Sequence, residues 1–410
     1  GIKAPCLIVA DVMAVLRALG AAARARLSEN ARVAAITGSV GKTTLKEMLA
    51  QIFSRFGKTH KNPASFNNHW GVPLTLARMP RDTDYALFEI GMSHAGEITP
   101  LAQLVRPHLA VITCIAPAHM GHFRSLTEIA AAKAEIFSGL EADGVVMLNR
   151  DDKQYEFLRR AAIKQRARVY SFGRHSGADY RLTDWRAGAQ GLEFTVKFWK
   201  ETEEVFMPVH GAHMALNGCA AVAAASELIL PDSPNDGNNF AHKFNKYIKP
   251  IKAQLAQFTA PSGRGARHIL ALPGGGSFTL IDESYNANPA SMRAALANLA
   301  DCSGRHIAVL GDMLELGDTA KAEHEALAEP LAQAKPACVF LIGAQMLTLA
   351  EKLEKQNAIK FIWQENSDEA ADKIKAELKS GDCLMLKASN SIGFGKIVKQ
   401  LERDFSPAKQ

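Results

Sequence analysis

One segment constrains this chain more than any other. Thr37-Gly38-Ser39-Val40-Gly41-Lys42-Thr43-Thr44 lies between a β-branched run at Arg32–Thr37 and an amphipathic stretch at 42–56. Glycines let a backbone fold tightly enough for several N–H groups to face one anion. Gly38, Ser39, Val40, Gly41 and Thr44 would form that wrap. Lys42 would add a point charge for the β and γ phosphates, and the Thr43 hydroxyl suits Mg²⁺. A helix starting here contributes its positive end. The strict P-loop pattern asks for a glycine where Ile36 stands, so only the shorter form Gly-Ser-Val-Gly-Lys-Thr-Thr is present. A glycine-rich turn that holds nothing is the dull alternative. Lys-Thr directly after the last glycine argues against it, and strand, turn and helix together point to a nucleotide.

The rest of the chain alternates in the same way. Strands are expected at 85–90, 109–115 and 144–148, separated by helices at 97–104 and 126–140, which implies a doubly wound parallel sheet. Residues 168–209 alternate polar and apolar and read as an antiparallel meander at its edge. Ala-rich helices are expected at 11–28 and 213–228. Residues 231–239, dense in Pro, Asp, Asn and Gly, read as a linker, followed by a Lys-rich helical piece at 240–258. A second α/β pattern follows, with strands at 279–282, 306–310, 338–342, 360–363 and 383–387. The expected division is therefore 1–29, a central nucleotide domain 30–230, a linker and helix 231–261, and a C-terminal domain 262–410. Two domains also suit a length of 410 residues.

Composition narrows the class by exclusion. A net charge of +6 on a chain with 22% charged residues fits anionic substrates without the clustering of a nucleic-acid binder. The six cysteines form no CxxC pair, so no zinc site or disulfide framework is indicated, and a reducing cytoplasm is the simplest home. No apolar run reaches the roughly 18 residues of a membrane span, and no signal-type core opens the chain.

Three residues downstream bear on the phosphate site. Glu89 ends an expected strand, and His119 follows another in Ala116-Pro117-Ala118-His119-Met120. Ligands of open α/β sheets gather at strand carboxyl ends, so both are candidate Mg²⁺ ligands, although a strand-end Glu is commonly a surface charge and a lone His a loop residue. Lys133, in Ala131-Ala132-Lys133-Ala134-Glu135, reads by pattern as part of a solvated helix face.

Taken in order, further strings join the phosphate turn. They are Asn67-Asn68-His69-Trp70-Gly71-Val72-Pro73-Leu74-Thr75-Leu76, Glu89-Ile90-Gly91-Met92, Ala118-His119-Met120 and Ala132-Lys133-Ala134-Glu135. Then come Gly211-Ala212-His213 with Asn217, Asp282-Glu283-Ser284-Tyr285-Asn286-Ala287-Asn288-Pro289, and Leu310-Gly311-Asp312-Met313-Leu314-Glu315-Leu316-Gly317. Together they resemble the Mur ligase family from about residue 30 to the end, and three of them resemble its branch that adds D-alanyl-D-alanine.

The resemblance implies a fold and a set of roles. The fold is a central P-loop ATPase domain, its mostly parallel sheet edged by an antiparallel meander, followed by a Rossmann-like α/β domain. The reaction is ATP-dependent amide formation between UDP-MurNAc-tripeptide and D-alanyl-D-alanine through an acyl phosphate, with Mg²⁺, in peptidoglycan precursor synthesis by a monomer. Lys42 would hold the phosphates, and Thr43, Glu89, His119 and a carbamylated Lys133 would serve magnesium. His213 and Asn217 would lie near adenine, while Arg264 and Glu283 would reach the nucleotide from the C-terminal domain. Asn67, Asn68, Asp282, Tyr285, Asn286, Asn288, Lys387 and Ser389 would meet the substrates, and Lys42, Lys133, His119 and Arg264 would carry catalysis.

Departures from the family's strings are Glu283 for Asp, Cys114 and Met214 for Asn, and Lys387-Ala388-Ser389-Asn390 for Lys-Gly-Ser-Arg. Asn cannot replace an Arg charge, which puts the amino-substrate site in question. The family also carries an N-terminal domain that binds UDP. Residues 1–29 fit only its tail, so ATP binding with weak turnover is expected. The alternatives are a sister ligase forming the tripeptide or a folylpolyglutamate, a nucleotide-binding module without turnover, and a plain P-loop phosphotransferase.

Overall fold

Around the glycine turn, the computed structural model, which describes residues 6–118, 120–229 and 237–408, builds a nine-stranded sheet. Its strands are β1 Arg32–Thr37, β2 Thr59–Lys61, β3 Tyr85–Glu89, β4 Leu109–Ile112, β5 Val145–Asn149, β6 Arg168–Gly173, β7 Tyr180–Gly188, β8 Gly191–Phe198 and β9 Glu201–Met207. Their spatial order is β2-β3-β1-β4-β5-β6-β7-β8-β9. Pairing is parallel from β2 through β7 and antiparallel from β7 to β9. The expected meander thus begins one strand late, because β6 adds in parallel to β5.

β1 shows why the sheet is interior. Val33 and Ala35 face one apolar layer and Ala34 and Ile36 the other, all fully buried, as a strand covered by helices on both sides requires. Helix Lys42–Ser54 and helix Ala212–Ile229 cover the second face. The latter is long and apolar enough to cross a membrane, contrary to the expectation of no such run, but 72% of it is buried inside the protein as a core helix. Helix Ile98–Val105 and helix Leu126–Ala134 cover the first face. Helix Val12–Ala25, capped by Asp11, packs on that side, where Arg24 donates to the Val105 and Arg106 carbonyls at 2.8 and 2.7 Å.

The helix expected at 240–258 is present and starts at Gly237, inside the expected linker 231–239. Residues 231–236 lie outside the described residues, yet Gly237–Leu255 is a helix that belongs to the first core through Ile248, Ile251 and Leu255. Lys252 bonds Glu203 on β9 at 2.7 Å, and Gln51 donates to the Gln254 carbonyl at 2.7 Å.

The second sheet has six strands: β10 Ala266–Ala271, β11 Ser277–Glu283, β12 Arg305–Gly311, β13 Cys338–Ile342, β14 Phe361–Gln364 and β15 Asp382–Lys387. Their order is β10-β11-β15-β12-β13-β14, parallel except for the β10–β11 edge hairpin. β2 and β10 had no sequence expectation, the first being only three residues long and the second interrupted by charges.

Candidate active site

The phosphate turn is built for close approach. Gly38 has φ 144°, and a Cβ there would lie 1.9 Å from Thr113 Oγ1. Gly41 is left-handed (φ 86°) and starts helix Lys42–Ser54, where a Cβ would meet Asn217 Oδ1 at 2.8 Å. The turn is fastened to the end of β4: Ser39 N donates to the Cys114 carbonyl at 2.8 Å, and Thr113 Oγ1 donates to the Val40 carbonyl at 2.5 Å. The N–H groups of the helix's first turn have no intrahelical acceptor, which leaves them for an anion. Lys42 Nζ folds back onto the Gly38 carbonyl at 2.8 Å, a bond that a phosphate oxygen could replace. Burial lowers the Lys42 pKa, Glu89 opposes that shift, and Arg264 adds to it.

Glu89 is the hub of the hydrogen bonds beside the turn. It ends β3 and is 1% exposed. Thr43 donates to its Oε2 at 2.6 Å and Asn67 Nδ2 to its Oε1 at 2.8 Å. Hard oxygens from Thr43 and Glu89 beside a phosphate turn fit magnesium by their chemistry. His119, expected in the same set, lies outside the described residues.

Lys133 overturns the solvated-face reading. It is 2% exposed and lines the same cleft as Lys42 and Cys114. Burial first, and then the nearby Lys42 cation, push its amine down to about 7. Both effects favour a neutral amine. Helical periodicity missed it because helix Leu126–Ala134 is buried on more than one face, with Ala130 and Ala132 in the core as well.

A cleft of about 560 Å³ opens between the two sheets and holds residues from both. From the C-terminal side Arg264 enters it, with its guanidinium 4.0 Å over the Tyr285 ring and Nη2 donating to Ser65 Oγ at 3.3 Å. Lys387 Nζ bonds Glu283 at 3.2 Å and the Asn286 carbonyl at 3.1 Å, because β11 and β15 place those two side chains in register. His213 and Asn217 line the cleft from helix Ala212–Ile229, and burial lowers the His213 pKa despite Glu283 nearby. Asn68, Asn286 and Asn288 also line it. Asn68 Oδ1 accepts from Gly71 N at 2.9 Å, so it shapes the start of helix Gly71–Ala77.

Two expected substrate residues face elsewhere. Asp282 is buried and does not line the cleft; its oxygens accept from Gly263 N (2.6 Å), Ser262 Oγ (3.1 Å), Ser284 Oγ (2.6 Å) and Ser284 N (3.1 Å). Its work is to fix the loop that carries Arg264. Ser389 is buried as well, and its hydroxyl accepts from Leu314 N at 2.9 Å. Asn390 is exposed at the start of the following turn. The Leu310–Gly317 string meets the other domain, where Gly121 N donates to the Glu315 carbonyl at 3.2 Å. Three residues that sequence reasoning passed over join the site: Ser65, Thr113 and Lys46. Lys46 alone carried a signal, as it stands one helical turn after Lys42 on the same face.

A phosphate turn on one α/β sheet, met across a cleft by an arginine from a second, defines a two-domain nucleotide-dependent enzyme. Comparison with known proteins gives the family. Residues 36–225 match the Mur ligase middle domain, and residues 271–390 match the Mur ligase glutamate ligase domain. The UDP-N-acetylmuramoyl-tripeptide–D-alanyl-D-alanine ligase of Bacillus subtilis is 34% identical over 402 residues, covering 96% of this chain and 80% of its own. The ligase of the same name from Escherichia coli is 34% identical over 345 residues, covering 84% and 71%. The crystal structure of MurF from Acinetobacter baumannii superposes with a TM-score of 0.82 at 31% identity, covering 98% of this chain and 83% of that one. The chain belongs to the Mur ligase family, whose members are ATP-dependent amide ligases.

Proposed function

We propose that this protein joins the terminal carboxylate of UDP-MurNAc-tripeptide to the amine of D-alanyl-D-alanine in the cytoplasm, with ATP converted to ADP and phosphate. Support comes from the relatives of that name and from one observation above all: Lys42 of the first sheet and Arg264 of the second face one cleft that also holds Lys133 and Glu89.

A carboxylate oxygen is a poor leaving group, so it must first be activated. A substrate carboxylate oxygen attacks the γ-phosphorus of ATP, the bond to ADP breaks, and an acyl phosphate forms. The D-alanyl-D-alanine amine then attacks the acyl carbon, phosphate departs, and the amine loses a proton. The protein's part is positioning and charge neutralisation. Lys42 and the turn's N–H groups hold the β and γ phosphates. Arg264, braced by Tyr285, faces the charge that develops on the transferred group. Glu283 and Lys387 form a polar pair beside the Tyr285–Asn288 loop, where an amine and a carboxylate would each find a counter-charge. Magnesium, held by Thr43, Glu89 and a carbamate on Lys133, would neutralise phosphate oxygens when bound. The Lys133 amine, lowered to about 7, is neutral in a large fraction of molecules at neutral pH, and the neutral amine is the form that adds carbon dioxide.

The test is a coupled assay with mass analysis of the product. ADP release should require both UDP-MurNAc-tripeptide and D-alanyl-D-alanine and should match pentapeptide formed. Release driven instead by a single amino acid would assign a sister ligase, and ATP binding with no product under any acceptor would leave a nucleotide module.

A further inference from the structure

Lys46 is an ammonium with no exposed side-chain surface, four residues beyond Lys42. Burying a charge is expensive unless oxygens surround it, and an apolar side chain of similar length would fill the space without that penalty. The oxygens are present. Lys46 Nζ donates to the Asn62 and Ala64 carbonyls, each at 2.8 Å, and stands 3.2 Å from Glu47 Oε1 and 3.9 Å from Glu89 Oε2.

The two carbonyls belong to one loop, and that loop touches both halves of the cleft. Asn62 clamps the end of β3: its Oδ1 accepts from Glu89 N at 2.8 Å, while its Nδ2 donates to the Glu89 and Phe66 carbonyls at 2.9 and 2.8 Å. Ala64 has φ 45°, a strained value for a residue with a Cβ, and it persists only where surrounding contacts fix it. The next residue, Ser65, receives the Arg264 bond, and Asn67 holds Glu89 Oε1. We infer that Lys46 is a positioning residue. It staples the 62–67 loop to the phosphate-turn helix, so that Glu89 is set for magnesium and Ser65 is set to receive Arg264 from the other domain. This inference rests on the ligase reading.

The experiment compares wild type with Lys46→Met and with Lys46→Gln, which keeps an N–H donor group and guards against misfolding of the first. Calorimetry measures ADP binding in EDTA and across a magnesium titration. ADP affinity without metal should stay within about twofold, because the Lys42 turn is untouched. The magnesium concentration for half-maximal enhancement should rise about 10- to 100-fold, the range seen when outer partners of a ligand are removed. In turnover, kcat should fall by a similar factor with the KM for ATP little changed. A packing role alone would lower the melting temperature and leave the magnesium response where it was, which would overturn the inference. A wild type with no magnesium-dependent nucleotide binding would defeat the functional reading itself. A wild type that binds, beside variants that bind identically, would defeat the Lys46 role alone.

Discussion

The two walls of the cleft are held in different ways. On the nine-stranded sheet, the working groups sit at strand ends and in the first turn of a helix, and they restrain one another directly: Lys42 on Gly38, Thr43 on Glu89, Asn67 on Glu89. On the six-stranded sheet, Arg264 comes from a loop whose shape is set one layer back, by the four donors that converge on Asp282. An anion site is therefore complete on the first wall, while the second wall adds charge only where the sheets meet. Ground-state nucleotide binding should depend on the first and acceleration of the reaction on the second.

The sharpest way to break this division is Lys133→Ala. If a carbamate on Lys133 serves magnesium, the variant should lose turnover by more than about a thousandfold while keeping ADP affinity, since loss of a metal ligand disables phosphoryl-transfer chemistry. Short carboxylates such as acetate should restore part of the rate by occupying the vacated volume. Steady-state kinetics with and without acetate checks this, and unchanged activity in the variant would refute the carbamate.

Arg264→Ala should be next in size. Its loss removes a cation from the transferring group, so kcat should fall about 10²- to 10³-fold. ADP affinity, measured by calorimetry, should shift far less. A large loss of ADP affinity with unchanged kcat would erase the proposed distinction between the walls.

Much of this was legible in the sequence, and what was not has identifiable causes. β1, the glycine turn and the C-terminal strand Cys338–Ile342 match their expected bounds because β-branched runs buried on both faces leave a clear pattern. The expected strand at 109–115 ends at Ile112, since Thr113 turns its hydroxyl to the Val40 carbonyl and Cys114 gives its carbonyl to Ser39. The helix expected over 126–140 tightens into a 3-10 turn at Glu135, whose carboxylate caps the start of another helix through Ile98 N and Thr99 N. Lys133 and Lys46 were the hard cases. Charge normally marks solvent, and only three-dimensional neighbours reveal a buried amine. Asp282 and Ser389 erred in the opposite direction, because their polar atoms serve the loops behind the cleft.

The walls also differ in how they bury a carboxylate away from the cleft. Asp282 has four donors, whereas Glu227 in the first core accepts from the Tyr180 hydroxyl, at 2.7 Å. Burial raises the Glu227 pKa from 4.5 to about 7. A carboxyl raised in the folded state stabilises fully below its unfolded pKa, and that contribution is lost as pH climbs through the folded one. Wild type should therefore lose stability between about pH 4.5 and 7 relative to Glu227→Gln, by at most about 3 kcal/mol. Chemical denaturation of both proteins at pH 5 and pH 8 gives the comparison, and a constant difference would mean that Glu227 does not titrate in this range.

Asn288 offers the smallest effect and the finest test of the second wall. Its Oδ1 accepts from Ser291 N at 2.9 Å and its own N–H donates to Ser291 Oγ at 3.0 Å, capping helix Pro289–Ala300. It also lines the cleft, so a structural and a substrate role coincide in one side chain. Loss of a cap costs about 1 kcal/mol, and serine at the same position retains most of it. Asn288→Ala should lower stability by about that amount and Asn288→Ser by a few tenths of a kcal/mol. If the side chain only caps, kcat/KM for D-alanyl-D-alanine should follow stability and remain near wild type in the serine variant. If it also contacts the incoming dipeptide, the serine variant should stay stable and still lose kcat/KM, because the shorter hydroxyl cannot reach as far into the cleft as an amide.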